Sequence, residues 1–313
     1  MNNKIKFILI LIITLSISFS FSIMAAAERD YENPDLLISA EELNEKMEDE
    51  SEDETENKNE NLKIIDVRNS AKYLMGHLPQ AVNMWGDDLS NPEGWVDGLI
   101  AEPEAFSAVA QAKGINNDSQ IIVYDDHNSI WAARLWWIFR VYGHQDVKIL
   151  EGGYSAWKEE DFESKILPHN PEEGNFVVED VNNDWIVNSD TIAENLDNDS
   201  FIVLDTRSEA EYLGEETNSG AARKGRIPNS IHLEWDQVLN DDYSFKSAAE
   251  IEEIYKKRGI TKDKELIAPM CHTGVRAAHT FFTLKLMGYD NLKLYDESWV
   301  GWSNRSDLPV ERK

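Results

Sequence analysis

The 313-residue sequence predicts an α/β protein of two tandem domains, each a parallel sheet with helices on both faces. Short apolar segments alternate with helical stretches in each half, which is typical of parallel strands covered on both sides. The same order of strand, loop and helix recurs in the second half with matching residues, which indicates a duplicated domain. In open sheets of this kind, ligands bind beyond the carboxyl ends of the strands.

The N-terminal residues have the pattern of a targeting segment. Lys4 and Lys6 accompany an almost uncharged apolar stretch over residues 5–23, and three alanines at 25–27 offer a cleavage site. We therefore predict a signal peptide over residues 1–27. An uncleaved N-terminal anchor is the alternative, because the apolar run approaches the roughly 20 residues that span a bilayer. In either case the folded part is expected to be exported to the periplasm, the cell envelope or the medium.

The charge balance excludes some classes of partner. The chain has 30 basic and 59 acidic residues, for a net charge of −29. Binding to nucleic acid or to an anionic membrane surface is therefore not expected, and membrane contact is expected only through an uncleaved N-terminus. Residues 48–61 contain acidic and polar side chains almost exclusively, and we interpret them as a solvated insertion. It follows a helix predicted over residues 41–47, with Ser39 as its N-cap.

Each domain contains an apolar strand that ends in Asp-x-Arg. Residues 62–68 match residues 201–207 in this respect, and a Tyr-Leu pair follows both at the same distance. We expect the first domain over residues 35–167 and the second over residues 185–313. Residues 168–184 are crowded with Pro, Gly, Asn and acidic side chains, and they are interpreted as the linker between the domains.

A longer match relates the second part of each domain. Residues 121–157 align without a gap onto residues 266–302, at a constant offset of 145. This alignment predicts a strand that ends near Pro269, a short loop, and a helix from about Arg276 to Met287. It places Asp126 opposite Cys271. A carboxylate cannot replace a thiolate nucleophile, so chemistry is expected only in the second domain, with the first domain forming one wall of a cleft.

Cys271 is the only cysteine of the chain, so no disulfide within the chain is available to it. Its loop joins a strand to a helix, and such a loop collects backbone N–H groups and the positive end of a helix dipole. This setting favours the thiolate, which is the reactive form of cysteine. We predict that Cys271 is a nucleophile. A buried, unreactive cysteine is the alternative.

The chain resembles the two-domain rhodanese family, the thiosulfate and 3-mercaptopyruvate sulfurtransferases. The residues that carry this resemblance are 66–68, 132–137, 151–153, Trp157, 205–207, the Cys271 loop, 295–299 and 308–310. The likeness covers almost the whole mature chain and implies two rhodanese-like domains. It also implies that the Cys271 thiolate takes sulfane sulfur from a donor such as thiosulfate or 3-mercaptopyruvate. The resulting persulfide would pass the sulfur to cyanide or to a thiol acceptor.

Within the resemblance, the Cys271 loop (residues 271–276) forms the active site. The N–H groups from His272 through Thr273, Gly274 and Val275 to Arg276 are expected to stabilise a thiolate or persulfide anion. Gly274 permits a tight turn around the sulfur. Arg276 is expected to provide a fixed positive charge or, equally, a structural salt bridge. His272 is expected to face solvent or the donor, and a catalytic role is the less favoured interpretation.

Three further residues are expected near the donor. Asp205 and Arg207 are predicted to pair and to pin neighbouring loops, a structural role. Glu211 stands where members of the family often carry an arginine that holds the anionic donor. Glu211 is therefore expected to disfavour thiosulfate and 3-mercaptopyruvate unless a cation compensates its charge. The candidate cations are Arg223, Lys224 and Arg276.

Two other functions compete with sulfur transfer. A cysteine phosphatase or arsenate reductase places five residues between cysteine and arginine, whereas four separate Cys271 from Arg276, and the shorter loop favours transfer of a single sulfur. A non-catalytic binding module on the same fold is disfavoured because Cys271 and Gly274 are both present. No metal or other cofactor is expected, because one cysteine and seven scattered histidines show no ligand spacing. We expect a monomer.

Overall fold

The computed structural model describes residues 30–49, 61–91, 94, 96 and 98–313. The predicted signal peptide and residues 50–60 of the predicted acidic insertion lie outside the described residues. Within the described part of the chain, none of the helices has the length and apolar character needed to cross a bilayer.

The first domain contains a five-stranded parallel sheet in the order β1-β5-β4-β2-β3. Its strands are β1 (Leu37–Ile38), β2 (Leu62–Asp66), β3 (Val82–Asn83), β4 (Gln120–Tyr124) and β5 (Val147–Leu150). Its α-helices are α1 (Ala40–Asp49), α2 (Ser70–Met75), α3 (Pro103–Ala112), α4 (Ile130–Val141) and α5 (Gly153–Glu159). Short 3-10 helices cover Pro34–Leu36 and Gly86–Asp88.

The second domain repeats this arrangement with fewer strands. Its sheet has the order β7-β6-β8, formed by β6 (Phe201–Asp205), β7 (Ile231–His232) and β8 (Leu266–Met270). Parallel bridges from Ile267 to Leu292 and from Ile186 to Leu294 continue the sheet in the order seen in the first domain. The helices are α6 (Ser189–Glu194), α7 (Glu209–Leu213), α8 (Ala248–Lys257), α9 (Val275–Leu286) and α10 (Ser298–Asn304), with 3-10 turns at Asn183–Trp185 and Trp235–Val238. The predicted α/β fold with two similar domains is confirmed.

Strand residues alternate between two apolar clusters, as the pleat of a doubly covered sheet requires. Ile121 and Val123 of β4 belong to the cluster that contains α4, whereas Ile122 and Tyr124 face the cluster on the other side of the sheet. The helices therefore cover both faces of the first sheet.

The first helix is longer than predicted. The Ser39 hydroxyl accepts the Glu42 N–H at 3.1 Å and the Glu42 carboxylate accepts the Ser39 N–H at 2.8 Å, so Ser39 is the expected N-cap. The helix continues to Asp49 rather than ending at Met47. Residues 48 and 49 of the predicted insertion are helical, and the limits of the insertion remain a prediction.

The two domains share one core. The ring of Trp136 on α4 meets that of Phe282 on α9 at 4.9 Å, and Trp185 meets Phe281 at 5.0 Å. These side chains belong to a single apolar cluster that draws residues from both domains. These aromatic side chains therefore belong to the core, and the first domain is a packing partner of the helix that follows the Cys271 loop.

The segment after the first domain has no helix or strand over residues 168–182. It nevertheless packs on that domain, because the Phe176 ring is buried against Phe106 and Phe139. The limits given for the domains and the linker remain predictions.

His279 on α9 is a polar side chain in this apolar core. It is 0% exposed, neither ring nitrogen has a hydrogen-bond partner, and the ring contacts Trp235 and Phe245. Burial lowers the pKa of His279 to about 3. The unfolded chain therefore binds a proton that the folded chain does not, and stability is lost as the pH falls below about 6.5.

We expect His279→Phe to raise the free energy of unfolding at pH 7 by about 1–2 kcal/mol, because two unsatisfied nitrogens are removed. The advantage should grow by about 1.4 kcal/mol per pH unit between pH 6 and 4. Urea unfolding of both proteins across this range measures it. A pH dependence identical to that of the native protein would show that His279 is not held neutral by burial.

Candidate active site

Cys271 directly follows β8 and starts the loop that leads into α9. It is 1% exposed, and its N–H donates to the Ser298 hydroxyl at 3.1 Å while its carbonyl accepts from the Trp299 N–H at 3.0 Å. Gly274 caps α9 with φ +83°, and a Cβ on it would lie 2.5 Å from a carboxylate oxygen of Asp296. Only glycine fits this position, so the turn around the sulfur depends on it.

The first domain shows what the start of such a helix binds. Asp125 follows β4, and its carboxylate accepts the N–H groups of Ser129 at 3.0 Å, Trp131 at 3.0 Å and Ala132 at 3.4 Å. These N–H groups have no partner within the helix. Burial raises the pKa of Asp125, and the three N–H groups act in the opposite direction. A side chain of the first domain therefore fills this group of donors.

The residue equivalent to Cys271 is Asp125, not Asp126 as the ungapped alignment predicted. The paired part of β4 ends at Tyr124 and that of β8 ends at Met270, so Asp125 and Cys271 occupy the same place after their strands. The alignment fails because the loop before α4 is one residue longer than the loop before α9. The conclusion that the first domain has no nucleophile at this position is unchanged.

In the second domain the equivalent N–H groups belong to Gly274, Arg276 and Ala277, and we call them the N–H cradle. Within the residues that the structure describes, they donate to no protein acceptor. Because Cys271 replaces Asp125, the cradle is available to a negative charge on the cysteine sulfur. Such a site can stabilise a thiolate or a persulfide anion.

Arg276 lies beside this cradle and is paired with Glu211. Its guanidinium donates to the two Glu211 oxygens at 2.7 and 3.1 Å. Burial alone would raise the pKa of Glu211, but the bonds from Arg276 lower it to about 2. Burial likewise lowers the pKa of Arg276, and Glu211 together with the Cys271 sulfur raises it above its usual value. Arg276 therefore compensates the Glu211 charge. It is one of the three candidate cations named from the sequence.

The other candidate cations are occupied elsewhere. Lys224 donates to the Glu215 carbonyl at 2.6 Å. The Arg223 guanidinium binds backbone carbonyl oxygens near the end of α10, namely those of Trp302, Ser303, Arg305 and Leu308.

Asp205 and Arg207 form a buried ion pair after β6. The Arg207 guanidinium donates to both Asp205 oxygens, at 2.9 and 2.6 Å, and to the Gly225 carbonyl at 2.8 Å. It also lies 4.5 Å from the centre of the Trp299 ring. The pair thus joins β6 to the segment around Gly225 and to α10. Asp66 and Arg68 make the same bidentate pair in the first domain.

His272 contacts the second domain, whereas Thr273 contacts the first domain. The His272 Nε2 lies 2.9 Å from the Ser219 carbonyl, whereas its Nδ1 is buried without a partner, and burial lowers its pKa. Thr273 packs against the first domain, because a Cβ on Gly98 would lie 2.9 Å from the Thr273 Cβ. Val275 is the first residue of α9 and is half-buried.

The first domain supplies Arg134, a side chain that helps to hold the Cys271 loop in place. Arg134 on α4 is buried and donates to Asp296 at 2.6 Å and to the Gly98 carbonyl at 2.8 Å. Asp296 also accepts the Ile100 N–H at 3.2 Å, and its other oxygen is the one that excludes a Cβ at Gly274. This ion pair therefore fixes the loop through contacts between the domains.

Arg134 and Asp296 form a pair next to the Cys271 loop that the sequence alone did not reveal. The available signal is an arginine within the apolar, aromatic run 132–137, since a charged residue in such a helix needs a buried partner. Among the described residues, no three His, Cys, Asp or Glu side chains are placed to hold a metal ion.

Comparison with known proteins places this geometry in context. A model of the rhodanese-like domain matches residues 39–160 and again residues 188–305. A thiosulfate sulfurtransferase of Corynebacterium glutamicum is 32% identical, covering 91% of this chain and 93% of the relative. The sulfur carrier protein TtuD of Thermus thermophilus is 32% identical over 90% of this chain and 98% of its own. A 3-mercaptopyruvate sulfurtransferase of Escherichia coli is 33% identical over 78% and 86%.

A solved structure of similar fold is that of an anaerobic ergothioneine biosynthesis enzyme from Chlorobium limicola in complex with trimethyl histidine. It is 29% identical, with a TM-score of 0.78, and the match covers 90% of this chain and 71% of that one.

The contact between the domains can be tested through Arg134. We expect Arg134→Met to lower the free energy of unfolding by about 3–5 kcal/mol, because Asp296 is left buried without its partner. Alkylation of Cys271 by iodoacetamide should also slow, since the loop loses its support. The matched control is Arg140→Met on the same helix, where the guanidinium donates to the Gln145 carbonyl. For Arg140→Met the free energy of unfolding is expected to fall by about 1 kcal/mol. Equal losses in the two variants would contradict a special role for Arg134.

Proposed function

The chain belongs to the rhodanese family and is a sulfurtransferase, and we propose that it carries sulfane sulfur as a persulfide on Cys271. The donor is a compound such as thiosulfate or 3-mercaptopyruvate, and the acceptor is cyanide or a thiol. One observation carries the proposal above all: the helix-start N–H groups that hold a carboxylate in the first domain are left to the cysteine sulfur in the second.

In the first half-reaction the Cys271 thiolate attacks the outer sulfur of the donor. With thiosulfate, the S–S bond breaks and sulfite leaves with the electron pair. With 3-mercaptopyruvate, the C–S bond breaks and pyruvate leaves as its enolate, which takes up a proton from water, while the proton of the donor thiol is released to water from the new persulfide. The persulfide anion that forms on Cys271 lies against the N–H cradle, whose donors are already oriented by α9 and need no rearrangement.

In the second half-reaction the acceptor attacks the outer sulfur of the persulfide. Cyanide leaves as thiocyanate, whereas a thiol leaves as its own persulfide, and in both cases the Cys271 thiolate is regenerated. This is a double displacement with a covalent intermediate. Because Cys271 is 1% exposed, donor and acceptor reach it only when side chains around the loop move aside.

The two alternative functions, a non-catalytic binding module and a phosphatase or arsenate reductase, are not equally supported. The similarity to relatives named sulfurtransferases over most of the chain argues against the non-catalytic binding module. A phosphatase or arsenate reductase remains the rival chemistry, and the loop with four residues between Cys271 and Arg276 argues against it. Turnover of p-nitrophenyl phosphate that disappears in Cys271→Ser would favour the rival.

The proposed location is outside the cytoplasm. The support is the residue pattern at the N-terminus, with its positive charges, apolar stretch and small-residue site. Sequencing the N-terminus of protein recovered from the producing cells tests this, and a mature chain that starts near residue 28 is the expected result. Recovery of intact chain from the cytoplasm would contradict it.

The division of labour between the domains predicts opposite results for two variants. Cys271→Ser should reduce thiocyanate formation from thiosulfate or 3-mercaptopyruvate and cyanide by at least about a thousandfold, because the nucleophile is lost. Asp126→Ala should keep turnover within about twofold of the native rate, since the Asp126 carboxylate pairs with Lys72 and Arg68 of its own domain. Comparable losses in both variants would contradict the assignment of chemistry to the second domain.

A further inference from the structure

Glu211 places a buried negative charge at the Cys271 loop. Its side chain sits at the start of α7, is 3% exposed, and binds Arg276 through both oxygens at 2.7 and 3.1 Å. Glu211 also accepts the Ser208 N–H at 3.2 Å, which closes the cap of α7 and fixes the carboxylate in place. The charge is therefore held rigidly, and Arg276 connects it to the reacting cysteine.

The remaining arginines around the loop do not leave a surplus of positive charge there. Arg134 is neutralised by Asp296. Arg207 has one buried nitrogen without a partner, but its charge is offset by Asp205 at 2.6 Å. Both arginines, like Arg276, are thus matched by one carboxylate each. With these three guanidinium charges offset, the N–H cradle is a source of positive potential for a donor, and its three donors match the single anionic group that fills the equivalent place in the first domain.

We propose that Glu211 is a specificity-determining residue that makes the site favour sulfur donors with a single negative charge over dianions. This inference rests on the proposed function, because it concerns the donor of that same reaction. At a given distance, a carboxylate repels a dianion twice as strongly as a monoanion. Thiosulfate is a dianion, whereas 3-mercaptopyruvate carries its charge on one carboxylate. Because Glu211 and Arg276 form a neutral pair, Glu211 cancels the attraction of Arg276 for the donor, and this lost attraction is twice as large for thiosulfate as for 3-mercaptopyruvate.

The test is Glu211→Gln, which keeps the shape of the side chain and an oxygen acceptor while removing the charge. The measured quantity is the second-order rate constant for persulfide formation on Cys271 in a single turnover, followed by the mass of quenched samples. We expect this constant to rise at least about tenfold with thiosulfate and about threefold with 3-mercaptopyruvate, because the logarithm of the gain scales with the charge of the donor. The ratio of the two constants then shifts about threefold toward thiosulfate.

Two variants serve as controls. Glu209→Gln makes the same change of net charge on α7 at an exposed position two residues away, and it should leave the ratio unchanged. Glu211→Asp keeps the charge and should keep the native preference. A fourth variant, Arg276→Gln, leaves Glu211 uncompensated and should shift the ratio in the opposite direction, so the inference can be judged even if Glu211→Gln does not fold. Melting temperatures establish which variants are folded.

The outcomes separate the two proposals. If the native protein is loaded but the ratio does not change in Glu211→Gln, or changes as much in Glu209→Gln, the role of Glu211 is wrong and the proposed function stands. If neither donor loads Cys271 in the native protein or in any folded variant, the proposed donors are wrong and the inference about Glu211 falls with them.

Discussion

The site depends on one constraint: backbone N–H groups at the start of a helix that follows a buried strand need an acceptor. The first domain meets this need with the Asp125 carboxylate, and the second domain leaves it to the sulfur of Cys271. The left-handed turn at Gly274 and the bond from the Cys271 N–H to Ser298 fix the backbone on which both the cysteine and these donors lie. A carboxylate replaced by a thiol at equivalent positions, in a loop one residue shorter, thus separates a closed structural turn from a loop able to carry an anion.

The two similar domains also make different contributions to the rest of the site. The helices α4 and α9 follow equivalent loops, and they pack against each other in a shared aromatic core. Arg134 crosses this interface to bind Asp296 beneath Gly274. The domain that lacks the nucleophile is therefore part of the frame of the active site. Since the ion pair is buried, dissolved salt weakens the attraction between Arg134 and Asp296 little.

The fold could be predicted from the sequence because its signals are local: apolar strands, alternating helical stretches, a capping serine at 39 and a repeated order of elements. The position of Cys271 after a strand was visible for the same reason. The equivalence of Asp125 with Cys271 could not be predicted, because only the pairing of the strands shows that one loop is a residue longer than the other. The pairs Arg134–Asp296 and Glu211–Arg276 join residues 162 and 65 positions apart, and no spacing rule identifies such partners.

The central claim is that Cys271 carries the transferred sulfur, and the most direct measurement is the mass of the intact protein with peptide mapping. The native protein would be incubated with thiosulfate or 3-mercaptopyruvate, desalted, and then treated with cyanide. The account predicts a gain of one sulfur atom, located on the peptide that contains Cys271 and removed by cyanide as thiocyanate. An unchanged mass with both donors, from protein whose Cys271 still reacts with iodoacetamide, would contradict it.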